Sequence, residues 1–322
     1  RWLHDDKQSQ AKFLRINSQS GVKTRRFTQP YDNILALNGL ENRAAQFETI
    51  GTQMLVEAIE KTLQENNQAP EDIGALVFTS CSVPLIPSID AAAILKSSLS
   101  PEISRVPIYQ HGCAGGVIGL SLGAKLSKLG KPVIVSSVEL CSLVFQRNNH
   151  SGAHLVGAAI FADGAAATIV GGSASNLSIV DSQSYLLPNS RHLMGYDIFD
   201  DGFHLRLDRA LPSMLVKEAP KIVNSFLAKH DKEVSDINFW LFHPGGIKIL
   251  DFLMESFSLS HEQCHWSYDV LRDFGNLSST TIHYVLDSFQ RDDVLKPGQN
   301  ALIMGIGPGL TVELILLEHV DS

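Results

Sequence analysis

Residues 114–129 read Ala-Gly-Gly-Val-Ile-Gly-Leu-Ser-Leu-Gly-Ala-Lys-Leu-Ser-Lys-Leu, a helical stretch with little bulk along its length. A glycine inside a helix costs about 1 kcal/mol relative to alanine. Gly115, Gly116, Gly119 and Gly123 within one helix therefore imply that neighbouring elements approach its backbone closely. Any fold for this chain has to wrap other structure tightly around that segment.

Around it, helical periodicity alternates with short β-rich runs, the pattern of an α/β protein. Residues 49–63 read as an amphipathic helix, followed by a turn at Ala69-Pro70 and a buried strand at 75–79. Further strands are expected at 132–136, 165–170, 301–305 and 310–317, the last two joined by a Gly-Pro-Gly turn. There is also a faint internal repeat. Met54-Leu-Val opens a helical stretch and Asp72-Ile73 precedes Leu76-Val-Phe; Met214-Leu-Val does likewise and Asp236-Ile237 precedes Trp240-Leu-Phe. This predicts two related halves, 1–172 and 173–322, meeting near residues 171–176 across a large interface.

Bulk properties narrow the function. With 44% hydrophobic and 19% charged residues the chain is expected to be a folded, soluble protein. A formal charge of −8 argues against general binding of nucleic acid or a membrane surface, both anionic. No apolar run approaches the ~20 residues of a membrane span; the most apolar one, 155–172, is interrupted by Asp163. Cys81, Cys113, Cys141 and Cys264 lack CxxC spacing, so reduced thiols in a cytoplasmic protein are expected. The chain opens at Arg1 without Met or a signal-like segment, which suggests that a further N-terminal piece belongs ahead of it.

Three distant segments carry chemistry, each beside glycine: Gln110-His-Gly-Cys113-Ala-Gly-Gly, His243-Pro-Gly-Gly and Phe274-Gly-Asn276-Leu-Ser-Ser. They supply a nucleophile and two hydrogen-bond donors, the groups needed to hold an acyl thioester and stabilise an enolate beside it. Cys113 sits just before a helix start, where backbone N–H groups favour a thiolate by at most ~2 kcal/mol. An imidazolium about 4 Å away contributes roughly 4 kcal/mol at an effective dielectric of 20, so the histidine is expected to matter more. A small buried core cysteine is the plainer reading of any thiol, and suits Cys81 and Cys264 better. His243 follows an apolar strand, where catalytic groups collect in α/β folds; His111 reads as structural. Asn276 alone reads as a helix N-cap. A zinc site is poorly supported, because no histidine pair shows i, i+4 spacing with a third ligand nearby.

With these residues in view the chain resembles a type III polyketide synthase, the chalcone-synthase-like branch of the thiolase fold. The resemblance runs over residues 12–318 and is carried by Cys113-Ala-Gly-Gly, Val138-Glu-Leu-Cys-Ser, Phe161-Ala-Asp-Gly-Ala-Ala-Ala, His243-Pro-Gly-Gly, Gly275-Asn-Leu-Ser-Ser and Gly305-Ile-Gly-Pro-Gly-Leu-Thr. It implies a thiolase-like fold of two related α/β halves in a layered αβαβα arrangement. It also implies that Cys113 takes the starter acyl group from an acyl-CoA, and that His243 and Asn276 bind the malonyl-CoA thioester and stabilise its enolate after CO2 leaves. Phe161 and Phe203 match gatekeepers between a CoA tunnel and the cavity. Cys141, Val144, Ser278 and Met194 match positions that shape the cavity, and Lys12, Arg15 and Lys248 match or adjoin contacts to the CoA phosphates. A homodimer without metal or redox cofactor is implied, forming a pyrone, resorcinol or related polyketide. Two other readings stay open: a single-round condensing enzyme fed by an acyl carrier protein, and a non-catalytic thiolase-fold assembly partner. Starter, number of extensions and cyclisation route depend on cavity volume, which the sequence leaves open.

Overall fold

The glycines of the small-residue helix each meet a close neighbour in the computed structural model, which describes residues 2–172 and 175–320. The helix spans Gly115–Ser127. A Cβ on Gly119 would stand 3.0 Å from Val135 and 3.2 Å from Thr79, and one on Gly123 2.4 Å from Val135. Strands thus lie directly on its backbone, as its composition requires.

Those strands form two sheets. In the first, β1 (Ala75–Ser80), β2 (Ser104–Tyr109), β3 (Val133–Leu140) and β4 (Asp163–Val170) run in the order β2-β1-β3-β4. β1 is parallel to β2 and β3, while β4 is antiparallel to β3. Next come β5 (Leu177–Leu186) and a hairpin of β6 (Met194–Phe199) and β7 (Gly202–Leu207). The second sheet combines β5 with β8 (Ile237–Phe242), β9 (Asn300–Gly307) and β10 (Thr311–His319), in the order β5-β10-β9-β8. Here β8 is parallel to β9, and β10 is antiparallel to both neighbours.

The set β1-β3-β4 therefore recurs as β8-β9-β10, parallel and then antiparallel. Each set is preceded by a helix, Thr52–Glu65 or Leu211–Leu227, and in each the last helix between the first two members, Gly115–Ser127 or Thr281–Asp292, lies in the middle layer. The Met-Leu-Val and Asp-Ile pairs read from the sequence occupy matching places in this repeat. Ser173 and Ala174, within the expected junction, and Arg1, where the chain opens, lie outside the described residues.

Five layers follow from strand periodicity, since successive side chains point to opposite faces. On one outer face Leu55, Ile59 and Leu63 pack on Leu76, Phe78, Ile134 and Val138. Their alternates Val77 and Val135 turn inward onto Val117, Leu120, Ile282 and Val285, which also meet Ile303 and Ile315 of the second sheet. Beyond that sheet, Trp240, Phe242, Leu302 and Leu314 receive Leu215, Ile222 and Phe226. The order is helix, sheet, helix pair, sheet, helix. No helix among the described residues is long and apolar enough to cross a membrane.

One polar group in the middle layer sets a pH response. His283 is buried between Ser137 of β3 (3.1 Å) and Thr168 of β4 (2.8 Å), and burial lowers its pKa to about 4. A histidine depressed in the folded state is protonated first in the unfolded chain, so stability falls as pH drops through the ordinary value near 6.5. At pH 5 this one group costs about 2 kcal/mol. In His283→Gln the loss of unfolding free energy between pH 7.5 and pH 5, measured by urea titration, is expected to shrink by about that amount.

Candidate active site

Two glycine motifs far apart in sequence make the seat of Cys113. The cysteine lies in the tight turn Gly112–Ala114, just ahead of the central helix. Gly112 has φ +51° and Gln110 φ +79°, backbone that favours glycine and strains most other residues. A Cβ on Gly307 would stand 2.5 Å from the His111 carbonyl oxygen and 2.6 Å from Ala114; one on Gly305 would stand 2.6 Å from Val117. The turn thus rests on the end of β9, and Gly305-Ile-Gly307 exists to let it do so. On its other side Gly115 and Gly116 press against Ser279, with the Ser279 carbonyl oxygen 2.2 Å from where a Gly116 Cβ would stand.

That contact brings in Asn276. Its backbone N–H donates to the Ile160 carbonyl (2.8 Å) and its carbonyl accepts from Ala162 (3.0 Å), a bridge around Phe161. Gly275, at φ +77°, allows the approach. The Asn276 Oδ1 accepts from the Ser278 N–H (2.8 Å) and faces the Thr281 hydroxyl (3.5 Å). The side chain therefore closes a short turn onto Ser278 and is not the helix N-cap that its context suggests, because the helical turns that follow start from Leu277 and Thr280. The turn that Asn276 opens meets the Cys113 sulfur through Ser278. Ser278 stands 3.9 Å from that sulfur and 3.3 Å from Cys81 Sγ. The Glu139 carboxylate, buried at the end of β3, accepts from Cys81 N–H and from the Ser82 and Ser279 hydroxyls, tying the first sheet to the Asn276 turn.

His243 sits where β8 ends, its N–H donating to Met304 of β9 (2.8 Å). The neighbouring end of β9 carries the Cys113 turn, so both residues stand at the same edge of the second sheet. The imidazole is 2% exposed and neither ring nitrogen has a protein partner. Buried nitrogens of this kind are rare unless a ligand completes them. Loss of water dominates both groups. Although Cys113 keeps some exposure, burial pushes its thiol up to about 12 against the lowering effect of Ser278 and Asn276. Burial pulls His243 down to about 3. The site thus favours a neutral thiol and a neutral imidazole, where the sequence reading expects a thiolate stabilised by the helix terminus and, more strongly, by an imidazolium.

The remaining expected residues separate into groups. Phe161, Cys141 and Val144 line one cavity. Phe203, buried in β7, has its ring 5.9 Å from Tyr196, another lining residue. Met194 packs with Leu193 and Leu207 on the core of the second half, and the cavity wall takes Tyr196, two residues further along the same strand face. Lys12 and Arg15 lie on the helix Lys7–Ser18, with Lys12 Nζ 3.1 Å from where a Gly152 Cβ would stand. Gly21, just past that helix, abuts Ile247, beside exposed Lys248. The sequence reading missed Tyr196, Leu205 and Arg25. It also quoted Glu139 within a motif without giving it a task. Nothing local marks Tyr196 or Leu205, nor Arg25, whose guanidinium donates to the Ala158 and Phe161 carbonyls (both 2.8 Å).

Comparison with known proteins agrees with this geometry. Residues 3–174 match the N-terminal domain, and residues 178–321 the C-terminal domain, of the chalcone and stilbene synthases. A putative chalcone synthase of Bacillus subtilis is 35% identical over 76% of this chain and 70% of its own length. The 1,3,6,8-tetrahydroxynaphthalene synthase of Streptomyces peucetius is 32% identical over 94% of this chain and 82% of its own. The solved structure of the corresponding Streptomyces coelicolor enzyme, a bacterial type III polyketide synthase, superposes with a TM-score of 0.94 at 26% identity, covering 99% of this chain and 92% of that one. With both family domains matched and the layered architecture shared, the chain belongs to the chalcone and stilbene synthase family and is a type III polyketide synthase of thiolase-like fold.

Proposed function

We propose that Cys113, His243 and Asn276 carry out iterative decarboxylative condensation of malonyl-CoA onto an acyl group held on Cys113. The observation that carries this is the packing of the Cys113 turn between the Asn276 turn and the end of β9, beside the strand end where His243 holds two unpartnered ring nitrogens. In the first step the neutral imidazole takes the thiol proton as sulfur attacks the starter thioester. The acyl–S bond to Cys113 forms, the bond to CoA sulfur breaks, and the proton passes to the departing thiolate. In the second, malonyl-CoA places its thioester oxygen between an imidazole N–H and the Asn276 amide. As CO2 leaves, the electron pair moves onto that oxygen, and the two donors stabilise it. The enolate carbon then attacks the acyl–Cys113 carbonyl, lengthening the chain by two carbons and restoring the Cys113 sulfur.

Breaking the C–C bond to CO2 leaves its electron pair on the remaining carbon as the nucleophile, so the scheme calls on no metal or redox cofactor. In this reading Lys12, Arg15 and Lys248 receive the CoA phosphates, and the contact of Gly21 with Ile247 supports placing them on neighbouring elements. Phe161 and Phe203 separate the CoA side from the cavity. The enzyme works as a cytoplasmic homodimer, its halves 1–172 and 173–322 contributing the cysteine and the two donors respectively. Relatives named for tetrahydroxynaphthalene and phloroglucinol support a cyclised aromatic product. The test is mass spectrometry of reactions with malonyl-CoA and a panel of acyl-CoA starters, native protein against Cys113→Ala. Products heavier than the starter by repeated ketide units, absent with the variant, are expected. Native protein that neither acylates Cys113 nor makes product would overturn the reading.

A further inference from the structure

The C-terminal end of the helix Gly152–Ile160 is finished by two segments from elsewhere in the chain. The last carbonyls of a helix have no partner within it. Here the Gly157 carbonyl accepts from the N–H of Phe161, and the Ile160 carbonyl from the N–H of Asn276 (2.9 and 2.8 Å). The Ala158 carbonyl, and that of Phe161 just past the helix, accept from Nη1 of Arg25 (both 2.8 Å). A cation suits this place, because the helix dipole leaves its C-terminal end negative.

The two fasteners also touch each other. Gly275, next to Asn276, has φ +77°, and a Cβ there would stand 3.0 and 3.2 Å from Cγ and Cδ of Arg25 and 2.7 Å from the Ile160 carbonyl oxygen. The Arg25 stem therefore lies along the backbone that leads into Asn276, while its head holds the carbonyls before and after the one that Asn276 uses. Arg25 is itself held from both sides. The N–H groups of Lys23 and Thr24 donate to the Arg272 carbonyl (2.7 and 3.1 Å), near the end of the helix His265–Phe274 that runs into Gly275. The Arg26 carbonyl accepts from Asp163 of β4 (3.0 Å). The guanidinium also lies over the Phe27 ring, 5.2 Å from its centre.

We infer that Arg25 is a positioning residue for the decarboxylation step, setting the backbone of Asn276 and through it the direction of the amide that meets the enolate oxygen. The inference rests on the donor role proposed for Asn276 above. The backbone of Asn276 bonds to Ile160 and Ala162, so its side chain is placed against the segment that Arg25 holds. Without Arg25 the Ala158 and Phe161 carbonyls lose their donor and Gly275 loses the stem it packs on. Residues 160–162 can then shift, and Asn276 shifts with them. Loading of Cys113 does not draw on Asn276 in the proposed scheme, so the two half-reactions separate positioning from a general loss of structure.

The test is Arg25→Met, which keeps an apolar stem and removes the donors. Acylation of Cys113 by an acyl-CoA, read by intact mass, should stay within a few-fold of native. CO2 release from malonyl-CoA, counted per Cys113 that can be acylated, should fall in kcat by about 10- to 100-fold with KM changed less. Counting in this way discounts any fraction that fails to fold. In an Asn276→Ala background the same substitution should lower CO2 release by less than about twofold, because the amide that Arg25 places is already gone. Arg25→Lys, which keeps the charge and a smaller donor head, should fall between native and Arg25→Met, and carries the same comparison if Arg25→Met does not fold. Unchanged CO2 release, an equal loss in loading, or the same fold loss with and without Asn276 would each overturn the inference while leaving condensation intact. Native protein that neither loads Cys113 nor releases CO2 would sink the condensation reading, and this one with it.

Discussion

An Asn276→Ala enzyme should still load an acyl group onto Cys113 within a few-fold of the native rate, yet lose malonyl-CoA decarboxylation by about two to three orders of magnitude. The asymmetry follows from where the amide stands. Its oxygen is spent on Ser278 N–H, which leaves its N–H groups for the role that the proposed scheme gives them. In the proposed scheme the thiol proton goes to His243 during loading and the amide has no essential part. During decarboxylation the same scheme makes it one of two donors to an oxygen acquiring full negative charge. Removing one such donor costs about 2.7–4 kcal/mol. Intact mass after mixing with an acyl-CoA reads the first step, and CO2 release from malonyl-CoA reads the second. Equal losses in both would mean that the residue supports the site's shape and nothing more, as its side-chain bond from Ser278 N–H would allow.

What the sequence made legible and what it hid divide along physical lines. β1, β3, β9 and most of β10 stood out because both of their faces are buried, which makes them continuous apolar runs. β2 did not: it pairs only with β1, exposes Ser104 and Arg105, and contains Pro107, features of an edge strand. The hairpin of β6 and β7, with Asp197, His204 and Arg206 along it, gave no clear alternation either. His243 stood out as the end of an apolar strand. The segments around Cys113 and Asn276 stood out because their glycines let neighbouring chain approach closely, and glycine leaves a mark in sequence. Cavity walls leave none. Arg25, Tyr196 and Leu205 meet only through tertiary packing, and no spacing rule links them. Cys81 shows the same limit from the other side. It is a buried core thiol, as read, yet it stands 3.3 Å from the Ser278 hydroxyl that also faces Cys113. The balance of charge and burial at Cys113 was likewise hidden, because burial is a property of the assembled site.

Gly116→Ala should be the most damaging single methyl group that can be added near the centre. Alanine improves helix propensity by up to about 1 kcal/mol, so a helix considered alone would gain. Here the new carbon would stand 2.2 Å from the Ser279 carbonyl oxygen and 2.6 Å from Ile282 Cγ2. The first is backbone in a buried turn that Glu139 and Thr281 pin in place, so relief requires the central helix and the Asn276 turn to separate. Overpacking of this kind costs about 1–3 kcal/mol and sometimes more, and we expect the upper end. Gly119→Ala is the control: its Cβ would meet side chains at 3.0 and 3.2 Å, which can yield by a few tenths of an ångström. Urea unfolding should therefore place Gly116→Ala well below Gly119→Ala, although the two have equal intrinsic propensity. Function should suffer more than stability. Cys113 and Asn276 lie on the two sides of this contact, and a misplacement of about 1 Å between reacting groups can cost 100-fold in rate. If Gly116→Ala folds as well as Gly119→Ala and condenses at the native rate, close apposition of these two turns is not what assembles the site.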